Sequence, residues 1–175
     1  MPDYRRWRIQ GGSYFFTVNL MNRSSRLLVE HVGLLREAFG TVRRAHPFHI
    51  DAIVILPEHL HAVWTLPAGD TDYSTRWRLI KSHFSRGLPS IERRSASRRR
   101  QHERGIWQRR FYEHTLRDEN DFAQHVDYIH YNPVKHGHVM KPTDWAFSSL
   151  HRYIQRGIVE PGWGTSGVGT TLDLG

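Results

Sequence analysis

The chain has 175 residues, the length of one ordinary domain, and 38% of them are hydrophobic, so it can bury a core. It contains no cysteine, which excludes disulfides and thiolate metal sites. Its net charge is +8 and its pI about 10.3, and because most of the excess is arginine, this balance is compatible with a nucleic-acid partner.

The amino-terminal stretch MPDYRRWRIQGG lacks the apolar segment of a secretory signal. The longest apolar runs, such as AIVIL at 52–56, are too short to cross a bilayer. We therefore expect a cytoplasmic, nucleoid-associated protein with no membrane partner.

Three strands and two helices are predicted in the first half of the chain. SYFFTVNL (13–20) is rich in aromatic and β-branched residues, which favours a strand. Residues 26–45 carry apolar side chains at spacings of three and four and predict an amphipathic helix that ends before Pro47. Strands are then predicted at 47–56 and 59–66, joined as a hairpin, and a helix at 71–88.

The second half adds a strand at 105–116 and a helix at 117–134, which Pro133 is expected to end. The order β-α-β-β-α-β, followed by this further helix, predicts an α+β ferredoxin-like sandwich, an antiparallel sheet with helices on one face. We expect a single domain over residues 1–156.

Two stretches lie outside the predicted core. A basic loop is expected at about 88–104, since residues 92–104 hold six arginines against two glutamates and show no apolar periodicity. It is either a DNA-contacting insertion or a solvated linker. Residues 157–175 hold six glycines and no Lys or Arg, which predicts a flexible tail.

The stretch LPEHLHAVW places two histidines in an apolar strand. Side chains alternate along a strand, so His59 and His61 share one face and can converge on one metal ion. Glu58 should face away from His59 unless the turn redirects it. The alternative is that both histidines are ordinary polar surface residues.

A tyrosine and an asparagine share a face of the last predicted helix. Tyr128 and Asn132 are four residues apart, one turn from each other. The neighbouring apolar stripe must pack on the sheet, which would bring both near the two histidines. The alternative is that Tyr128 packs in the core with its hydroxyl in water.

EHLHAVW and the later HVDYIHYNPVKHG (125–137) resemble the single-tyrosine HUH transposases, and more narrowly their REP-associated tyrosine transposase branch. The resemblance covers about residues 4–155, through YRRWRIQGGSYFFTVNL, DAIVILPEHLHAVWTLP, STRWRLIKSHF, IWQRRFYEH and DWAFSS. It implies an α+β fold of the HUH endonuclease type and an enzyme that nicks and rejoins DNA.

The resemblance implies roles for individual residues. His59 and His61 would bind a divalent metal, Mg²⁺ or Mn²⁺, and Tyr128 would be the nucleophile. Asn132 would be a third ligand, at a position where relatives often have Gln. Tyr131 differs from Tyr128 by about 300° around the helix and is not expected in the site.

The resemblance also implies DNA contacts. Arg5, Arg6 and Arg8 match a region that the family uses against DNA, while Trp7 could stack on unpaired bases or belong to the core. Basic residues of two other matched motifs are expected to bind DNA as well: Arg76, Arg78, Lys81, Arg109 and Arg110.

The expected function is a metal-dependent cleavage and rejoining of single-stranded or hairpin DNA at REP-like repeats. Attack by Tyr128 would give a 5′-phosphotyrosine and a free 3′-hydroxyl, with no nucleotide cofactor. A monomer is expected, as in the REP-associated branch, with a dimer that exchanges the tyrosine helix as the other possibility. Three alternatives are a nuclease that uses activated water, a DNA-binding module without chemistry, and an RNA-binding use of the sheet.

Overall fold

A four-stranded antiparallel sheet organises the chain. The structure is a computed structural model, which describes residues 8–90, 92–166, 172 and 174. The strands are β1 (Ser13–Asn19), β2 (His49–Ile55), β3 (His59–Thr65) and β4 (Tyr112–Thr115). They lie in the order β2-β3-β1-β4, with every neighbouring pair antiparallel, so β4 is an edge strand. The prediction of an antiparallel α+β fold is confirmed.

The helices connect and cover these strands. They are α1 (Leu27–Glu30), α2 (Val32–Ala45), α3 (Tyr73–Arg86), α4 (Ala96–Arg100), α5 (Glu119–Lys135) and α6 (Leu150–Gln155), with a 3-10 turn at Pro142–Asp144. The helix predicted at 26–45 is interrupted at His31. Asp72 caps α3 by accepting a hydrogen bond from the Thr75 backbone N–H, and Asp118 caps α5 in the same way through Asp121.

Helices cover both faces of the sheet, so the prediction that they share one face is wrong for α5. Tyr14 and Phe16 of β1 belong to a first apolar core with side chains of α2 and α3. Phe15, between them, points to a second core that includes Ile129 of α5. Because β1 and β3 carry apolar side chains on both sides, a helix layer on one face alone would leave the other in water.

Helix α5 continues past Pro133, which was expected to end it, and runs to Lys135. Proline removes its own N–H from the helical ladder and crowds the carbonyl of residue i−4, but it leaves the residues after it free to stay helical, so near a carboxyl end the helix can add a further half turn. The His136 backbone N–H then donates to the Asn132 carbonyl and closes the helix.

The basic segment, residues 92–104, is not the irregular loop that the sequence predicted. It contains α4, whose start is capped by Ser95. The Arg104 guanidinium donates to the carboxylate of Glu92 and to the backbone carbonyls of Ser85, Leu88 and Pro89. These contacts hold the segment against the end of α3.

Two further regions, residues 105–116 and the stretch after α6, also differ from what the sequence predicts. The strand expected at 105–116 is regular only in β4, while Met21 and Gln108 pair with the carbonyls of Ile106 and Asn19. After α6, the chain turns at 161–166, and Leu172 and Leu174 pack against the second core. Among the described residues, no helix is long and apolar enough to span a membrane.

Candidate active site

The two histidines of β3 face α5. His59 and His61 are both buried, and their ring centroids lie 4.8 Å apart at an interplanar angle of 82°. Leu60, between them, points into the first core on the opposite face. The structure therefore places the two imidazoles side by side, as the alternation of the strand predicts.

Each imidazole has one nitrogen engaged by a neighbour. His59 Nδ1 lies 2.8 Å from Glu58 Oε1, and His61 Nδ1 lies 2.8 Å from Thr17 Oγ1. A carboxylate can only accept, so His59 carries its proton on Nδ1 and leaves Nε2 as a lone pair. Glu58 was expected to face away from His59, but the turn before β3 brings its side chain round.

The other nitrogen of His61 is exceptional. His61 Nε2 is buried and has no hydrogen-bond partner among the described residues. Burial lowers the pKa of His59 to about 4 despite Glu58, and burial with the nearby His59 holds the pKa of His61 well below its usual value. Both rings are therefore neutral at pH 7, which is the form that binds metals.

Tyr128 lies against these histidines. Its ring centroid is 5.3 Å from that of His61 and 5.9 Å from that of Phe15. Lys135, two turns later on α5, places its Nζ 5.0 Å from the centre of the Tyr128 ring. Tyr128 is almost fully buried, yet it lines the same cavity of about 400 Å³ as His59 and His61.

Two residues at the end of α5 are candidates to complete a metal site: His136, which follows the helix and lines the cavity, and Asn132, which lies in the last turn and is not among the lining residues. Asn132 is fully buried, and neither atom of its amide has a hydrogen-bond partner within the described ranges. His136 lies 5.1 Å from His59, ring to ring, and its donor atom and those of His59 and His61 all lie within 4.8 Å of one another. The sequence did not point to His136, which lies just past the end of α5, where helical spacing is a weak guide to position.

The three histidines bring their donor atoms close enough together to hold one divalent cation. The lone pair of a buried imidazole and an unpartnered amide are neutral N and O donors that a cation would satisfy. Carboxylate ligation is limited, because the nearby Glu58 is already bonded to His59 and lies 3.7 Å from Arg23. Imidazole donors favour Mn²⁺ over Mg²⁺.

The rim of the cavity brings in residues that the sequence did not single out. Arg23, Asn19, Tyr112 and Leu174 line it together with Thr17. Arg23 donates to the Asn19 side chain at its end of β1. The site is therefore a polar cavity with a cationic edge.

A second concavity, the basic groove, lies between α3 and residues 98–111. It has a volume of about 560 Å³ and is lined by the predicted residues Arg78, Lys81 and Arg109 together with Arg86, Arg98 and Arg104. Arg78 and Arg109 are exposed, and the Arg109 guanidinium donates to Glu103 Oε2 at 2.8 Å and to Ser97 Oγ at 3.0 Å. Lys81 is less available, because its Nζ donates to the Gln108 carbonyl at 2.8 Å and burial lowers its pKa to about 8.

The remaining predicted DNA contacts divide into three cases. Arg76 is only 4% exposed, and its guanidinium is bonded to Asp70 and to the carbonyls of His46, Pro47 and Asp72. It is a structural residue, and its assignment to DNA was wrong. Arg110 is exposed, and Arg8 lies over the Tyr73 ring and donates to Ser74. Arg5, Arg6 and Trp7 lie outside the described residues.

A second histidine cluster anchors α5 to β4. His114 Nε2 lies 2.9 Å from Asp121 Oδ2, and His125 Nδ1 donates to the Asp121 carbonyl at 2.7 Å. Arg117 also donates to the Asp121 carboxylate. His125 stands three residues before Tyr128, so this cluster helps to fix the helix that carries Tyr128.

The chain is similar to proteins of one family along nearly its whole length. No family model matches it. A REP-associated tyrosine transposase of Escherichia coli (strain K12) is 47% identical over 163 residues, which cover 93% of this chain and 91% of that protein. A Haemophilus influenzae protein that carries the same family name is 43% identical over 165 residues, 94% of each chain.

A solved structure gives the same result for the fold. It is a REP-associated tyrosine transposase bound to a REP hairpin, and it superposes with a TM-score of 0.81 at 48% identity. The match covers 93% of this chain and 91% of that one.

Proposed function

Because the chain belongs to the REP-associated tyrosine transposases, a class of DNA-processing enzymes, we propose that it cleaves and rejoins single-stranded DNA beside REP-like hairpins through Tyr128. The observation that carries the proposal is the contact of Tyr128 with His61, whose Nε2 is buried without a partner. A buried phenol beside two neutral, preoriented imidazoles suits phosphoryl transfer better than passive binding. Such an enzyme would act in the cytoplasm, at the nucleoid.

The metal-binding residues of the proposal are His59, His61, Asn132 and His136. Mg²⁺ or Mn²⁺ bound there would polarise a non-bridging phosphate oxygen and orient the linkage for in-line attack. Thr17 and Glu58 act one layer further out, because their bonds to the Nδ1 atoms orient the two rings.

Tyr128 supplies the nucleophile. Its phenol oxygen attacks phosphorus, a P–O bond forms, and the bond from phosphorus to the 3′ oxygen breaks. The phenol gives up one proton and the departing 3′ oxygen takes one, so the products are a 5′-phosphotyrosine and a 3′-hydroxyl. The reverse attack by a 3′-hydroxyl rejoins the strand, and no nucleotide triphosphate is required because the phosphoester is conserved.

The proposed site is complete within one chain. Tyr128 contacts His61 of its own chain, α5 also carries Asn132, and His136 follows directly after that helix. This supports action as a monomer, without exchange of the tyrosine helix.

The basic groove and the active-site cavity lie on opposite faces of the sheet, and the start of β4 connects them. Phe111 lines the groove, and the next residue, Tyr112, lines the cavity. We place the hairpin's phosphates on exposed arginines such as Arg78 and Arg109, with the single strand passing round the β4 edge to Tyr128. The relative that was solved with a REP hairpin supports a hairpin as the partner.

The test is an adduct assay with labelled REP-type hairpin DNA and Mn²⁺, resolved on a denaturing gel. The unaltered protein should give a shifted, protease-sensitive band. Tyr128→Phe should abolish that band and leave DNA binding within about twofold, since the change removes one hydroxyl and keeps the ring that packs against His61 and Phe15. Tyr131→Phe is the matched control and should retain the adduct.

Other outcomes point to other functions. Cleavage without an adduct, insensitive to Tyr128→Phe, would indicate a nuclease that uses water. Binding without cleavage in either metal would indicate a DNA-binding module.

A further inference from the structure

We propose that Tyr112 is a stacking platform for one unpaired nucleobase next to the linkage that Tyr128 attacks. The proposal rests on the proposed function and adds a binding site to it. Tyr112 is 47% exposed and lines the active-site cavity. The other large hydrophobic side chains that are exposed in the described part of the chain are aliphatic and lie outside the cavity: Ile9, Met21, Met140 and Ile158.

The position of Tyr112 in the sheet aims it at the catalytic residues. It pairs directly with Thr17 on β1, which pairs directly with His61 on β3. Directly opposed residues in an antiparallel sheet point to the same face, so the three side chains form one row. This row runs from the edge of the sheet to the predicted metal-binding histidine.

The ring is held from inside the cavity and open outside. Phe15 contacts it edge-on, with the ring centroids 6.3 Å apart at an angle of 68°. Phe15 also contacts His61 and Tyr128, so a single buried ring ties the platform to the catalytic residues. A base stacked on Tyr112 would therefore have a fixed position relative to the phosphate at Tyr128.

The residues around Tyr112 have the chemistry to bind a nucleotide. The rim offers the guanidinium of Arg23, which suits phosphate, while Tyr112 offers a flat apolar surface, which suits a base. Aromatic rings interleaved with cations are the usual arrangement for binding single strands.

Tyr112 also stands where the strand would have to turn. β4 is the edge strand, and its neighbour Phe111 belongs to the basic groove on the other face. Because a duplex cannot follow this edge into a cavity of about 400 Å³, the base at Tyr112 must be unpaired.

The experiment measures equilibrium binding in a Tyr128→Phe background, so that no DNA is cleaved. The DNA is a hairpin with a single-stranded flank, and abasic sites are placed at one flank position at a time. Tyr112→Leu removes the ring, and Tyr112→Phe is the matched control that keeps it. Because Tyr112 is half exposed on an edge strand, both variants should fold, and thermal melting checks this.

Tyr112→Leu should weaken binding to intact DNA roughly tenfold, as expected for the loss of one base–aromatic stack, while Tyr112→Phe binds like the parent. At one flank position, an abasic site should weaken the parent by the same factor and leave Tyr112→Leu unaffected. This non-additivity identifies the stacked base.

Three results would overturn the platform: equal binding by Tyr112→Leu and the parent, the same loss from Tyr112→Leu on every abasic DNA, or a Tyr112→Phe defect as large as that of Tyr112→Leu. Failure of the proposed function has a different signature. It appears as a missing adduct with Tyr128 intact, whereas the platform is read from binding alone.

Discussion

Thr17 Oγ1 and His61 Nδ1 lie 2.8 Å apart on neighbouring strands, and this contact determines which nitrogen of His61 faces the cavity. When Nδ1–H donates to the hydroxyl, Nε2 keeps its lone pair for a cation. The contact is a small polar feature in an otherwise apolar stretch of sheet, and its loss should be measurable.

Thr17→Val keeps the shape and β-branching of the side chain but removes the hydroxyl. We expect it to lower Mn²⁺ affinity roughly 10- to 100-fold, the usual effect of losing a hydrogen-bond partner of a metal ligand. Isothermal titration calorimetry measures this, with Thr17→Ser as the control that should bind as tightly as the unaltered protein. Unchanged affinity in Thr17→Val would show that the hydroxyl does not orient His61.

His136→Gln and Asn132→Leu test the two proposed metal ligands at the end of α5. Each should lower Mn²⁺ affinity at least roughly tenfold, since even loss of an outer partner has an effect of that size. Asn132→Leu should also raise the melting temperature of the metal-free protein, because it removes two buried polar atoms that lack partners. If one variant binds Mn²⁺ normally, that residue is not a ligand.

The basic groove predicts a salt-dependent effect of Arg78. Arg78→Ala should weaken hairpin binding and reduce the slope of log K against log salt by about one, as for the loss of one phosphate contact. The control is Arg36→Ala, because Arg36 is exposed on α2 and lines neither the groove nor the cavity. Arg76→Met should instead lower the melting temperature, because the buried guanidinium donates to the carbonyls of His46 and Pro47 and ties the start of β2 to α3. Equal salt slopes for Arg78→Ala and Arg36→Ala would remove the groove from the DNA path.

The cluster of His114, Asp121 and His125 predicts acid sensitivity. Burial is the main cause that lowers the pKa of His125, so below about pH 6.5 the unfolded chain takes up a proton that the folded chain resists. Burial alone would raise the pKa of Asp121, but hydrogen bonds from the Arg117 backbone and His114 outweigh it and lower the pKa. That contribution is present above about pH 4 and is lost as the pH falls through the folded-state pKa.

Stability should therefore fall as the pH drops from 7.5 to 5, measured by thermal melting in a chelator. His125→Gln, which keeps a donor for the Asp121 carbonyl, should make this fall smaller. An identical fall in the variant would mean that His125 does not contribute. Other buried histidines, such as His130 with a pKa lowered to about 3 by burial, should leave part of the fall in place.

Local periodicity placed His59 and His61 on one face and brought Tyr128 within reach of them, while core packing of Tyr128 stayed the alternative until the family resemblance was considered. Alternation fixed the shared face of the histidines, and the apolar stripe of the last helix fixed which side of that helix meets the sheet. The roles of these residues came from the resemblance and stay predictions. The third metal ligand was harder to predict from the sequence, because His136 lies at the helix end, where residue spacing is a weak guide to position.

The errors have identifiable physical reasons. The two-sided sheet had a signal in SYFFTVN, where Tyr14, Phe15 and Phe16 are all apolar and so cannot face water on one side. Helix α4 also had a signal, since Ser95 is a good cap. The burial of Arg76 had none, because its partners include carbonyls about thirty residues earlier in the chain, which only the folded structure brings near.

Arg104, which lines the groove, is bonded within the protein itself to Glu92, Leu88 and Pro89. This part of the groove is therefore already ordered in the folded protein, so DNA binding costs little additional backbone entropy there. Binding in the groove should accordingly show a small heat-capacity change and rapid association, unlike the large negative heat-capacity change of a segment that folds around its ligand.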